Sequence, residues 1–203
     1  MKEIYYDHYK DSFEIQRSYL EKRDKLTVWL FLCVIVEVFQ LSQPSIISEA
    51  VNGWLSAHVN GLKLEYEVIN TAILLFWLWI CMQYYSIAET VEWMYTYIHD
   101  AEKKMYTEVC PINREGRSYK ENRSCLKWMT GKLSAYVLPI SLGILAIIKL
   151  VSECRSFRDH WVFSCINIVL CAGLVVCSGM YLDNRIKKEL KKREEKQREG
   201  YVE

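Results

Sequence analysis

The chain has 203 residues, a net charge of +1, and 51% hydrophobic against 25% charged residues. This length favours a single domain, and the near-neutral charge gives no reason to expect a nucleic-acid partner. The averages resemble those of a soluble protein, but the two kinds of residue are segregated. Charges crowd into residues 1–25, 89–132 and 183–203, and four nearly charge-free runs lie between them.

Each of the four runs is long enough to cross a bilayer as a helix, which takes about 17–25 residues. Four such helices would leave this chain too little polar surface to cover them in water. We therefore expect an all-α, integral membrane four-helix bundle with cytosolic helical extensions, forming one domain over residues 1–203. The predicted spans are 26–43, 68–88, 133–151 and 161–182.

Lys and Arg residues predict the orientation of these spans. Twenty-two of them lie in the N-terminal segment, the long connection after the second span and the C-terminal tail, against three in the other two connections. Because positively charged loops stay on the cytosolic side, we expect both termini and the long connection in the cytosol. The expected location is a bacterial inner membrane or a plasma membrane.

The segment before the first span has apolar residues at helical spacing and predicts an amphipathic helix that packs on other cytosolic helices. On the outer side, Pro44 ends the first span. A short helix then begins with Ser48 as its cap, and we expect it to rest on the membrane surface with Trp54 at headgroup depth.

The second span continues as a helix into the cytosol. Its apolar residues there are spaced 4, 3, 4, 3 and 4 apart, which is a heptad seam. We expect this seam to meet the N-terminal helix, the C-terminal tail or another copy of itself, because a lone helix cannot bury it. The predicted stalk comprises 1–25, 87–132 and 183–203. The seam residues are Ile87, Val91, Met94, Ile98, Ala101 and Met105.

The third and fourth spans carry stripes of small residues, which let membrane helices approach closely. The second span is bulky from Leu74 to Trp79 and is expected to face lipid, and Pro139 is expected to bend the third. The small residues are Ala135, Pro139, Gly143 and Ala146 in the third span, and Ser164, Cys165, Cys171, Ala172, Ser178 and Gly179 in the fourth.

Three polar residues inside the spans are the candidate site. Glu37 lies 11 residues into the first span, about 16 Å along the helix and near mid-bilayer. A carboxylate there is costly unless it faces protein or water. Lys149 lies near the outer end of the third span, from which it can reach the headgroups, and Asn167 lies in the fourth. Either Glu37 bonds to these residues and holds the bundle together, or it lines an ion path, repeated as a ring in an oligomer.

No other pattern indicates catalysis or a cofactor. Phosphate-binding, zinc-protease and nucleophile-elbow motifs are missing from the sequence. Glu89, Glu92, His99 and Glu102 lie together on the stalk, but a metal centre in a bundle takes carboxylates from several helices. We interpret them as a solvated face, and expect no metal site and no cofactor.

The stretch Tyr97-Ile98-His99-x-x-Glu102, followed by Arg114-Glu115-Gly116-x-x-Tyr119, resembles a pattern in small four-span bacterial membrane proteins. The resemblance covers about 25 residues and implies no activity. In size and span number the chain is also similar to four-span accessory proteins of RNA-targeting CRISPR loci, by analogy of architecture alone.

Two functions remain open from the sequence. The first is a non-enzymatic, oligomeric, pore-forming or signal-coupled effector with Glu37 on an ion path. The second is a membrane anchor that recruits a cytosolic partner through the seam and the basic connection. The expected partners are the lipid bilayer, further copies of the chain and, in the second case, a cytosolic protein.

Overall fold

A computed structural model describes residues 2–59, 63–108, 129, 132–155, 157 and 161–199. Every element in these ranges is helical, which confirms the predicted all-α class. Four helical stretches are long and apolar enough to cross a membrane: Asp7–Ser42, Tyr66–Lys103, Ala135–Arg155 and Trp161–Lys191. The elements are α1 (Lys2–Ser42), α2 (Pro44–His58), α3 (Tyr66–Glu108), a π-helical segment (Leu133–Val137), α4 (Leu138–Arg155) and α5 (Trp161–Glu199).

The chain divides into two compact units, so that α1 and α3 each contribute to both. The stalk unit comprises Met1–Leu30 and Met82–Lys132, and the bundle unit comprises Phe31–Cys81 and Leu133–Glu203. The predicted stalk also included residues 183–203, which this division places in the bundle unit.

α1 has buried residues in two stretches, one from Tyr9 to Gln16 and one from Leu30 to Gln40. Its buried residues keep a single heptad phase, at spacings of three and four. They are Tyr9, Ser12, Gln16, Leu30, Cys33, Glu37 and Gln40. The opposite face of the apolar half is exposed, and a continuous apolar face of this kind is what lipid contact requires. Its residues are Val28, Trp29, Phe31, Leu32, Ile35, Val38 and Phe39.

α4 and α5 pack on each other along small side chains, as their sequences predict. A Cβ atom built on Gly143 would lie 3.7 Å from Cβ of Ser178, which shows how closely the two backbones approach. The stripe on α5 is narrower than predicted. Cys171 and Ser178 are buried, whereas Ala172 and Gly179 are exposed.

The expectation that the second span faces lipid is wrong for two of its six bulky residues, and a third, Leu78, is half-buried. Leu74 and Trp77 are 0% exposed, while Leu75, Phe76 and Trp79 are exposed. An uninterrupted run of large apolar residues carries no periodic signal, so the sequence did not distinguish its buried face from its exposed one.

The connection between α1 and α3 is built around α2, none of whose residues is buried. α2 begins at Pro44, because proline is well suited to the first turn of a helix. Ser48 therefore lies inside the helix, and the predicted cap is wrong. The Asn52 side chain pairs with the backbone of Leu64, donating to its oxygen at 3.0 Å and accepting from its nitrogen at 2.8 Å.

A π-helical segment precedes Pro139, while the bend expected at this residue stays a prediction. Proline has no N–H for the carbonyl of Ala135, so the α-helical bonding pattern is interrupted at this position. The π-helical segment Leu133–Val137 lies directly before α4, of which Pro139 is the second residue.

Candidate functional site

The bundle unit contains a cluster of polar side chains contributed by all four of its long helices. We refer to it as the polar cluster, and every member except the half-buried Thr71 is buried. The polar cluster consists of Glu37 and Gln40 from α1, Asn70 and Thr71 from α3, Lys149 and Glu153 from α4, and Asn167 from α5.

Lys149 is shared between two carboxylates. Its Nζ lies 3.6 Å from Oε2 of Glu37 and 3.8 Å from Oε1 of Glu153, and it donates to Oε1 of Gln40 at 3.5 Å. A charge-assisted hydrogen bond is shorter, about 2.7–2.9 Å. The ammonium group therefore lies between its two anions and is tightly bonded to neither.

Glu153 is firmly held by amide donors. Asn70 donates from Nδ2 to Oε1 of Glu153 at 2.8 Å, and Asn167 donates from Nδ2 to Oε2 at 3.2 Å. Thr71 in turn donates to Oδ1 of Asn167 at 2.7 Å, which orients that amide. Both oxygens of this carboxylate are thus satisfied by fixed hydrogen bonds.

Glu37 is in the opposite situation. Its side chain is 0% exposed, yet neither of its carboxylate oxygens has a hydrogen-bond partner among the described residues. Oδ1 of Asn70 likewise lacks one within the described part of the chain. A buried charge without hydrogen bonds is costly, so Glu37 is the least stabilised member of the polar cluster.

The polar cluster carries an unbalanced formal charge. Glu37, Glu153 and Lys149 sum to one negative charge when all three are ionised, since the other members are neutral. In a water-poor interior, such a charge is balanced either by a proton or by a bound cation.

The polar cluster lies close to one end of its helices. Glu37 is five residues before the end of α1, and Lys149 is six before the end of α4. Asn167 is six residues after the start of α5. At 1.5 Å per residue these distances are about 8–9 Å along each axis. The predicted span 26–43 put Glu37 six residues from the same end, and its depth in a bilayer stays a prediction.

The three residues chosen from the sequence all belong to this cluster. Lys149, however, does not reach outwards as predicted, since it is 2% exposed and points to Glu37. The other four members, Gln40, Asn70, Thr71 and Glu153, were not among the predicted site residues. Gln40 lies three residues after Glu37, and Glu153 four after Lys149, so helical spacing alone could have indicated both. Glu153 was overlooked because the predicted span ended at Val151.

In the stalk unit, the predicted seam is partly covered by the N-terminal half of α1. Val91, Met94 and Ile98 are buried, and Ile98 packs against Tyr9 and Phe13. Ile87 and Ala101 are half-buried, and the Met105 side chain lies outside the described residues.

Two polar contacts join the same helices of the stalk unit. The Tyr9 hydroxyl donates to Oε1 of Glu102 at 2.8 Å, and Nε2 of His8 lies 2.7 Å from the Tyr97 hydroxyl. Within the described ranges, no three His, Cys, Asp or Glu side chains are placed to hold a metal ion. Glu102, assigned to a solvated face from the sequence, is 3% exposed and bonds to Tyr9 instead.

No family model matches this chain, and neither a curated protein nor a solved structure is significantly similar to it. The functional argument therefore rests on the geometry of the polar cluster and of the stalk unit.

Proposed function

We propose that the chain is a non-enzymatic four-span membrane protein that acts as an ion-conducting or signal-coupled effector, with Glu37 on the ion path. The observation that carries this proposal is the buried Glu37 carboxylate, whose oxygens lack hydrogen bonds among the described residues. Ionisable residues inside membrane helices are costly, and they commonly mark ion or proton routes. The Lys149 ammonium at 3.6 Å supplies a counter-charge that does not fully occupy the site.

The proposal includes an orientation. The many Lys and Arg residues of the N-terminal segment, the connection after α3 and the C-terminal tail support a cytosolic location for those parts. The polar cluster then lies near the outer surface, because α1 ends and α5 begins on that side. An ion from outside would reach Glu37 after crossing a short distance along the bundle unit.

The proposed path runs through each bundle rather than around an oligomer axis. Glu37 is 0% exposed within a single chain, so it does not face a neighbouring copy in this arrangement. Oligomerisation is compatible with the proposal, but a single chain supplies every residue of the polar cluster.

Planar-bilayer recording tests the ion path. Purified wild-type chain should carry a cation or proton current, and Glu37→Gln should reduce it at least about tenfold, because the buried anion that attracts the ion is removed. Glu49→Gln is the matched control, since Glu49 is an exposed carboxylate on α2. Equal currents from the wild type and Glu37→Gln would contradict the proposal.

A membrane anchor that recruits a cytosolic protein through the seam and the basic connection receives less support, and most of that connection lies outside the described residues. Val91, Met94 and Ile98 are buried within the stalk unit, and α1 supplies Tyr9 and Phe13 against Ile98. A second protein would have to displace α1 before reaching Ile98.

A further inference from the structure

We infer that the polar cluster binds one monovalent metal cation of the sodium class, held by the Glu37 carboxylate and the amide oxygen of Asn70. The inference rests on the proposed function for the route by which the ion reaches Glu37, and it deepens that function by naming the ion. It depends on three properties of the cluster: its charge, its unused oxygen atoms and the position of Lys149.

The charge of the polar cluster selects the valence of its ligand. Two carboxylates and one ammonium leave a single negative charge, which one monovalent cation neutralises. A divalent cation would instead leave an excess positive charge in a buried site, at a considerable desolvation cost.

The unused oxygen atoms are of the type that sodium-class cations prefer. Both oxygens of Glu37 and Oδ1 of Asn70 are buried and have no hydrogen-bond partner within the described chain. Carboxylate and amide oxygens are the usual protein ligands of hard cations. The bond from Nδ2 of Asn70 to Glu153 fixes this amide in the cluster and leaves its oxygen for a ligand.

A proton on Glu37 would balance the charge but would satisfy the site less well. A protonated carboxyl is a donor and needs an acceptor within hydrogen-bond distance. One such bond would leave at least one of three buried oxygens, the two of Glu37 and Oδ1 of Asn70, without a partner among the described residues. A bound cation needs no acceptor and satisfies several oxygens at once.

The ammonium of Lys149 reduces the net charge of the polar cluster to one negative charge, and it can move to make room for the ion. Its ammonium lies 3.6 Å from Glu37 and 3.8 Å from Glu153, so a small shift towards Glu153 frees Glu37 for a cation. Removing the ammonium would change the charge of the cluster from one negative to two. The site should then accept a divalent ion.

Thermal unfolding of the full-length chain in lipid nanodiscs tests the inference. At equal ionic strength, sodium chloride should raise the Tm of the wild type by about 5 °C or more over choline chloride, because the ion binds only the folded state. Glu37→Gln and Asn70→Leu should lose this difference, whereas the exposed control Glu49→Gln should keep it. Equal Tm values for the wild type in the two salts, or a sodium shift that persists in Glu37→Gln, would overturn the inference.

Lys149→Met provides a second measurement. Calcium chloride should raise the Tm of Lys149→Met while leaving the wild type unchanged at the same ionic strength, and a calcium shift in the wild type would contradict the valence argument. If Lys149→Met does not fold, the Tm of the wild type in sodium chloride and in choline chloride still tests the inference.

Failure of the inference and failure of the proposed function give different results. A current that requires Glu37 without any sodium-dependent Tm shift would overturn the cation site and leave the ion path. A sodium shift without any current would support the cation site and contradict the ion path.

Discussion

Glu37 and Glu153 are two carboxylates of one cluster with different surroundings. Glu153 accepts hydrogen bonds from Asn70 and Asn167, whereas Glu37 has, among the described residues, only the more distant ammonium of Lys149. A carboxylate with fixed donors keeps its place, and one without them can exchange its partner. In the proposed mechanism, Glu153 therefore positions the amides and Lys149, and Glu37 contacts the ion.

The charge of the cluster predicts the stability of its variants when no binding cation is present. In choline chloride, Glu37→Gln should be as stable as the wild type or more so, because it removes the unbalanced charge and leaves Lys149 paired with Glu153. Lys149→Met should lower the free energy of unfolding by about 3–5 kcal/mol, because two buried carboxylates lose their counter-charge. Denaturant titration in nanodiscs measures both values.

The variant that combines Glu37→Gln with Lys149→Met is the control for this prediction. Adding Glu37→Gln to Lys149→Met should recover part of the lost free energy, since one of the two uncompensated anions is then gone. A larger loss from Glu37→Gln than from Lys149→Met would show that the ion pair stabilises the fold and that the cluster carries no unbalanced charge.

Part of this site could be predicted from single residues. A lone carboxylate in an apolar run is conspicuous, and Glu37 was chosen for that reason. Glu153 lies among charged residues at the end of α4, where only its four-residue spacing from Lys149 distinguishes it from a solvated carboxylate. Its role depends on amides from α3 and α5, which are distant in sequence and meet only in the fold.

At the level of helices, the contact between α4 and α5 depends on small residues. Ala146 is 0% exposed, and a Cβ on Gly143 would be in van der Waals contact with Ser178. Without a hydrophobic driving force between helices in lipid, such close approach supplies the packing energy. This contact holds Lys149 and Asn167 at the same end of the bundle unit.

Enlarging one buried alanine should separate these helices. Ala146→Leu is expected to lower the free energy of unfolding by about 1–3 kcal/mol, because three added carbon atoms cannot be accommodated in a close-packed contact. Ala172→Leu is the matched control on α5, where the exposed side chain should tolerate leucine with little change. The same denaturant titration compares them, and similar losses for both would contradict the packing described for α4 and α5.

The periodicity of an element decided whether its contacts could be predicted. Small residues on α4 and α5 recur at regular spacing, so the sequence indicated their facing sides. The heptad seam on α3 likewise indicated a buried stripe, but it left three partners open, and α1 contributes the Tyr9 and Phe13 that meet Ile98. The buried face of α1 also contains the polar residues Ser12, Gln16 and Gln40. These could not be predicted to be buried, because apolar periodicity indicates only apolar residues.

For the whole molecule, the segregation of charged and apolar residues was the strongest signal. It predicted four helices able to cross a membrane, and the structure contains four stretches of that length and composition. The division into stalk and bundle units follows from contacts between residues far apart in the chain, and it places the C-terminal tail differently from the charge pattern.

The proposed orientation can be tested with cysteine labelling on intact cells. Cys154 is an exposed thiol near the C-terminal end of α4, and Lys187 is an exposed residue of α5. In the proposed arrangement, Cys154 lies on the outer side and Lys187 on the cytosolic side. In a chain whose other cysteines are replaced, Cys154 should react with a membrane-impermeant maleimide added outside. In a cysteine-free chain, Lys187→Cys should react only after permeabilisation. Because both positions are exposed, a difference in labelling reports the side of the membrane. The reverse pattern would place the polar cluster near the cytosolic surface, and the ion would then reach Glu37 from inside the cell.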